Sequence, residues 1–168
     1  MPILVVGVGN ALRGDDGFGI SALAAFRAGG PAPDICCLET GIAGMHLVQE
    51  LMRGYDALLL FDAVDRGDQP GRITVREPVL PSLDTLSTTE RRDFFCETHY
   101  ATPIRALTLA REVGVLPAIV RIIGCQMADA DGFGVDMHPA VAAAVPEAAR
   151  IATLVAAELA AELAGHGV

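Results

Sequence analysis

Residues 3–8 read Ile-Leu-Val-Val-Gly-Val, a wholly apolar and largely β-branched run that ends in Gly7-Val8-Gly9-Asn10. An apolar run of that length without polar alternation is a strand covered on both faces, which places it in a parallel sheet with helices above and below. A glycine turn at the carboxyl end of such a strand, followed by a helix, is where open α/β sheets hold their ligands. The usual ligand is a nucleotide, and this turn does not suit one. Gly7 and Gly9 fit the first two positions of the dinucleotide fingerprint, but its third glycine is replaced by Leu12. No Lys and Ser/Thr pair follows Gly14 to cradle a phosphate, and Asp15 and Asp16 add negative charge where a pyrophosphate would sit. Paired carboxylates at a helix start suit two other tasks, capping free backbone N–H groups or binding a cation. One acid can cap while the other faces the loop.

The same alternation continues along the chain. Helical character runs from Gly17 to Arg27 and stops at Gly29-Gly30-Pro31, and residues 35–38 read as a second strand. A short helix over 45–52 ends near Gly54, and the ALLLF run at 57–61 is apolar throughout, as a central strand should be. Residues 71–77 alternate as a half-exposed edge strand, and a loop runs from about Pro78 to His99. Thr102-Pro103 opens a helix to about Glu112, with Thr102 as N-cap, and residues 119–124 form a last buried strand. Pro139 to Leu163 is a long Ala-rich helix, kinked or divided at Pro146. This order predicts the α/β class, a three-layer α/β/α sandwich around a mostly parallel twisted sheet of about five strands, as one domain over residues 1–168.

Composition narrows the function. A formal net charge of −9, with the twelve basic residues scattered rather than striped, argues against nucleic acid. No apolar run is expected to reach membrane-spanning length, and the N-terminus lacks the basic flank and cleavage site of a signal peptide, so a cytoplasmic protein is expected. Cys36, Cys37, Cys96 and Cys125 form no C-x-x-C pair and read as reduced thiols. Cys96 precedes His99 by three residues, a zinc-like spacing with no second pair to complete a structural site.

Three residues stand where strands end or helices begin. Asp16 follows the first strand. Asp62 ends the apolar third strand, where a carboxylate is costly to bury without a partner. His99 precedes the helix opened at Thr102-Pro103. Each has a plain structural alternative: a cap for Asp16, a loop brace for Asp62, an ordinary structural imidazole for His99. His46 and His166 read as solvent-facing or structural, and His138 as a weaker candidate. One sheet edge can gather Asp16, Asp62 and His99, and two carboxylates with one imidazole suit a divalent first-row metal held at an open site.

The sequence resembles the [NiFe]-hydrogenase maturation endopeptidases. Residues 7–19, GVGNALRGDDGFG, are close to that family's opening G-[IV]-G-N-x-L-x-x-D-[DE]-x-x-G. Thr40-Gly41-Ile42-Ala43-Gly44 is similar to its glycine-rich loop, Phe61-Asp62-Ala63 to its strand-end aspartate, Thr98-His99 to its histidine segment, and Gly124-Cys125-Gln126 to its last turn. The resemblance implies that Asp16, Asp62 and His99 are both catalytic and metal-contacting, and that Gly41, Ile42, Ala43 and Gly44 recognise substrate. Some members carry Glu at the position of Asp16, and Ile42 replaces a common Thr. Cys125 is read as a core residue. The implied activity is a hydrolase of aspartyl-type endopeptidase character that removes the C-terminal extension of a nickel-iron hydrogenase large-subunit precursor after nickel insertion, the nickel being supplied by the substrate. A non-catalytic nickel chaperone for hydrogenase assembly uses the same ligands and remains the alternative. Whether the metal activates water or only anchors the substrate is left open. The acidic balance of the chain favours a basic extension on the precursor.

Overall fold

The computed structural model describes residues 2–42, 44–84, 86–96 and 102–165. Among these, five strands form one sheet in the order β2-β1-β3-β5-β4. β1 (Ile3–Val8), β2 (Ile35–Gly41), β3 (Ala57–Val64) and β5 (Ile119–Gln126) are parallel, and β4 (Ile73–Arg76) pairs antiparallel with β5 at one edge. β3 occupies the middle of the sheet, as its unbroken apolar run requires, and Leu58, Leu59, Leu60 and Phe61 are fully buried.

The side-chain alternation of the strands divides the core in two. Ile3, Val5, Leu59, Phe61 and Ile123 face α1 (Phe18–Ala28) and α5 (Pro139–Gly165). Leu4, Val6, Leu58, Leu60 and Val120 face α2 (Gly44–Leu51) and α4 (Pro103–Glu112). The three layers are those the sequence predicts. α1 approaches the sheet closely because of Gly7 and Gly19: a Cβ on Gly19 would collide with the carbonyl oxygens of Val8 and Phe61. Gly19 thus performs the close-packing role for which the dinucleotide fingerprint uses its third glycine.

Several boundaries differ from the sequence reading. β2, β3 and β5 each run two or three residues further than expected, through the polar positions Glu39, Thr40, Asp62 and Gln126. Asp62 therefore lies inside β3, in register with Gly124 of β5 and two residues before the strand's end rather than at it. α3 (Thr88–Cys96) occupies part of the expected loop after Pro78. Its start is a capping box, in which Ser87 N donates to Glu90 Oε2 at 2.8 Å and Glu90 N to Ser87 Oγ at 3.3 Å. Thr102 is the N-cap residue of α4, but its side chain makes no capping hydrogen bond, and Pro103 at the first turn sets the helix start.

α5 is one helix with Pro146 inside it. By length and composition it could cross a membrane, which the sequence reading did not expect, because many small alanines raise its hydropathy while Glu147 and Arg150 interrupt any run. Its residues Val141, Ala144, Ala148, Ala152, Val155 and Leu159 form a buried stripe at helical spacing in the core beneath α1.

Candidate active site

The carboxyl ends of β1, β2 and β3 open into a cleft of about 460 Å³. Gly9, Arg13 and Asp16 line it from the turn after β1, Gly41 and Ile42 from the end of β2, Asp62 and Arg66 from β3 and its following loop, and Thr102, Pro103 and Ile104 from the start of α4. The two acids that the sequence selects thus face one cavity.

Asp16 sits in a 3-10 turn, Gly14–Gly17, that joins β1 to α1. Its Oδ2 accepts a hydrogen bond from Asn10 N at 3.0 Å, which folds the carboxylate back over the glycine turn and toward the cleft. Gly9 makes this possible: its φ of 131° lies outside the usual range for L residues, and a Cβ there would strike the Asp16 carbonyl. Asn10 Oδ1 in turn accepts Leu12 N at 2.9 Å and tightens the loop.

Asp15 has a different task from the cap considered for the pair. It is 3% exposed, its Oδ2 accepts Ala128 N at 2.7 Å and Asp129 N at 3.2 Å, and its Oδ1 accepts His138 N at 2.7 Å. One buried carboxylate thereby fastens both ends of the segment between β5 and α5 to the turn that carries Asp16. Two backbone bonds extend the attachment, Gly14 N to Gly134 O at 2.6 Å and Gly134 N to Leu12 O at 3.1 Å. Neither acid caps α1, whose N-cap is Gly17.

Asp62 is the electrostatically unusual group. Burial raises its pKa from an ordinary 3.8 to about 7, and the negative charge of Asp16 adds to the rise. A hydrogen bond from the Ala63 N–H and the positive charge of Arg66 pull the other way without cancelling it. Arg66 is held in place by Gln126, a buried amide that sequence reading noted only as part of a turn. Gln126 Oε1 accepts Arg66 N at 2.9 Å, and Nε2 donates to Asp65 Oδ1 at 3.1 Å and Met127 O at 3.0 Å. Its local signal was a polar side chain closing an otherwise apolar strand.

Of the remaining candidates, Gly41 and Ile42 line the cleft, Ile42 being about half exposed, while Gly44 opens α2 and is not part of the cavity wall. Ala43 and His99 lie outside the described residues, as does the Cys96-x-x-His99 spacing. Among the described residues no three His, Cys, Asp or Glu side chains stand together as a metal site. Cys125 is fully buried, with its thiol pKa pushed up to about 11 by burial and the charge of Asp15, so it is the core residue expected and a poor nucleophile at neutral pH. His46 and His138 are exposed; the His138 Nδ1 accepts Ala140 N at 3.2 Å at the start of α5.

A family model described as hydrogenase maturation protease matches residues 23–154, a span that includes Asp62. The hydrogenase expression/formation protein HupD of Bradyrhizobium diazoefficiens is 34% identical over 158 residues, covering 93% of this chain and 78% of its own. The chain belongs to the hydrogenase maturation protease family. The hydrogenase expression/formation protein HoxM of Cupriavidus necator is 30% identical over 149 residues, 87% of this chain and 69% of its own. In fold, the protease is similar to the hydrogenase maturating endopeptidase HybD of E. coli, with a TM-score of 0.74, 24% identity, and coverage of 94% of this chain and 93% of that one. The chain is thus a protease of hydrogenase maturation by family, and the acid-lined cleft is its candidate active site.

Proposed function

We propose that this protease removes the C-terminal extension of a [NiFe]-hydrogenase large-subunit precursor after nickel has been inserted, and that Asp16, Asp62 and His99 receive the nickel the precursor carries. The observation that carries the reading is the acid pair itself. Asp16 and Asp62 share one cleft, and Asp62 is held near 7 by burial and by the charge of its neighbour. A carboxylate whose ionisation is disfavoured by burial and by a neighbouring acid is relieved by a cation, and oxygen ligands with one imidazole suit nickel. Either acid is also within the cleft to accept a proton from water at the scissile bond. Gly41 and Ile42 line the same cleft as the pair, and on this reading they meet the substrate backbone, with Ile42 offering apolar contact in place of a hydroxyl.

Free thiols at Cys36, Cys37 and Cys125 fit a reducing compartment, and we assign the protease to the cytoplasm on that ground. The test is intact mass spectrometry of a co-expressed large-subunit precursor, with and without this protease, in nickel-replete and nickel-depleted cells. Loss of a C-terminal peptide only when protease and nickel are both present supports the proposal. An unchanged mass with confirmed nickel loading refutes it and favours metal delivery without cleavage.

A further inference from the structure

The cleft continues past the acid pair. Val64, Arg66, Ile104 and Ile122 also line a second groove, of about 320 Å³, that extends to Thr74 and Arg76 on the edge strand β4. Register explains the continuity. Asp62, Gly124 and Thr74 lie in one row across β3, β5 and β4, and Leu60, Ile122 and Arg76 in the neighbouring row. Paired positions share a sheet face, here the face packed against α2 and α4 by Leu60 and Ile122. Gly124 leaves the floor between Asp62 and Thr74 without a side chain; a Cβ there would already touch Val64.

The charge of this trough is opposite to that of the molecule. The chain carries −9 overall and its twelve basic residues are all arginine. Around the β3–β4 segment, Arg72 is paired with Asp68 at 2.8 Å and Arg121 with Glu77 at 2.8 Å. Among the described residues the guanidinium groups of Arg66 and Arg76 make no hydrogen bond or ion pair, although both line the groove. The carboxylates within reach of their charge are Asp62 for Arg66 and, for Arg76, Asp68, which is already paired with Arg72; Glu77 on the groove wall is engaged by Arg121.

We propose that this trough is a carboxylate subsite, in which Arg66 and Arg76 bind a carboxylate that the precursor carries close to its scissile bond. The inference rests on the proposed processing function and names what its substrate must present. Guanidinium forks match carboxylates in bidentate geometry, and against an acidic surface they form a local attractor. Strand spacing sets the reach. Arg76 lies two strands across and two residues back from Asp62, about 12 Å at ~4.8 Å per strand and ~3.3 Å per residue, which an extended peptide spans in about four residues. For the residues next to the cut, this proposal departs from the expectation of a basic extension drawn from net charge.

The test compares wild type, Arg76→Glu and Arg66→Gln on purified nickel-loaded precursor. Three altered precursors accompany it: acidic residues within five positions of the cut changed to Asn or Gln, the same residues changed to Lys, and a Gly-Ser-Gly tail that moves the terminal carboxylate. We expect Arg76→Glu to raise KM about tenfold with kcat changed less than twofold, and the Lys precursor to restore it. Sensitivity to the tail alone assigns the carboxylate to the chain terminus, and sensitivity to Asn or Gln assigns it to a side chain; either supports the subsite. Equal KM for wild type and Arg76→Glu, or an equal loss on every precursor, overturns the subsite while leaving the protease reading intact. Failure of wild type to cut any nickel-loaded precursor strikes the processing function itself and removes the subsite with it.

Discussion

Replacing Asp62 with asparagine should make the protein more stable, by an amount that grows as pH rises from about 4 to 7 and is largest at neutral and alkaline pH. The folded chain holds the Asp62 proton to about 7, against an ordinary 3.8, because burial disfavours its ionised form and the charge of Asp16 beside it adds to the penalty. Between pH 4 and 7 the folded state therefore binds more protons than the unfolded state, and wild-type stability must fall as pH rises through that window. At ~1.4 kcal/mol per tenfold change, the full cost by pH 8 is about 4 kcal/mol, and water in the cleft brings the expected value to about 2–4 kcal/mol. Asparagine keeps the shape, retains an oxygen for the Ala63 N–H and carries no charge to confine. Urea unfolding of wild type and Asp62→Asn, both with chelator, reads the difference directly. With m near ~2 kcal/mol/M, the variant's midpoint should lie about 1–2 M above wild type at pH 8, and the gap should shrink to about 1 kcal/mol or less at pH 4.5. A variant no more stable than wild type at pH 8, or a gap that ignores pH, would refute the assignment of strain to this acid pair.

Other positions give further expectations. Asp15→Ala removes the acceptor for three backbone N–H groups, so it should cost about 2–4 kcal/mol and speed hydrogen exchange selectively at Ala128, Asp129 and His138; unchanged exchange there would contradict the clamp. Gly19→Ala places a methyl group against the carbonyls of Val8 and Phe61, both fixed in the sheet, and should cost about 3 kcal/mol or more, seen as a lowered urea midpoint. Asp62→Ala and His99→Ala should each reduce processing of nickel-loaded precursor by at least about 10²-fold while the circular dichroism stays native, and full activity in either would remove that residue from the site.

What could be read in the sequence were features whose cause is local. β1 and β3 declare themselves by unbroken apolar runs, and the glycine turn after β1 marks the ligand end of the sheet. The strand ends were underestimated because Thr40, Asp62 and Gln126 are polar, and a polar residue stays in a strand only when a neighbouring strand supplies its register. α3 carried a legible signal, the Ser87 to Glu90 capping box, in a stretch too polar to show helical periodicity. Asp15 gave no such signal. It looks like half of a capping pair, yet its partners lie 113 to 123 residues away. Arg66 and Arg76 were counted among scattered charges for the same reason: only the register of β3, β5 and β4 brings them to one groove.

The acid pair also carries a consequence for how the proposed function depends on pH. If nickel is received by Asp16 and Asp62, a proton and the metal compete for the same Asp62 carboxylate, and below about pH 7 the free protease holds a proton there that the metal must displace. Affinity for the nickel-bearing precursor should then fall about tenfold for each pH unit below 7 from this group alone, since the carboxylate must be freed before it can ligate. Asp62→Asn, which has no proton to lose, should bind weakly and without that slope. The competition separates metal recognition from the arginine subsite, because Arg66 and Arg76 stay charged throughout and their contribution to KM should be the same at pH 6 and pH 8. A precursor affinity that is flat from pH 6 to pH 8 in wild type would mean that Asp62 does not meet the metal, however close to Asp16 it lies.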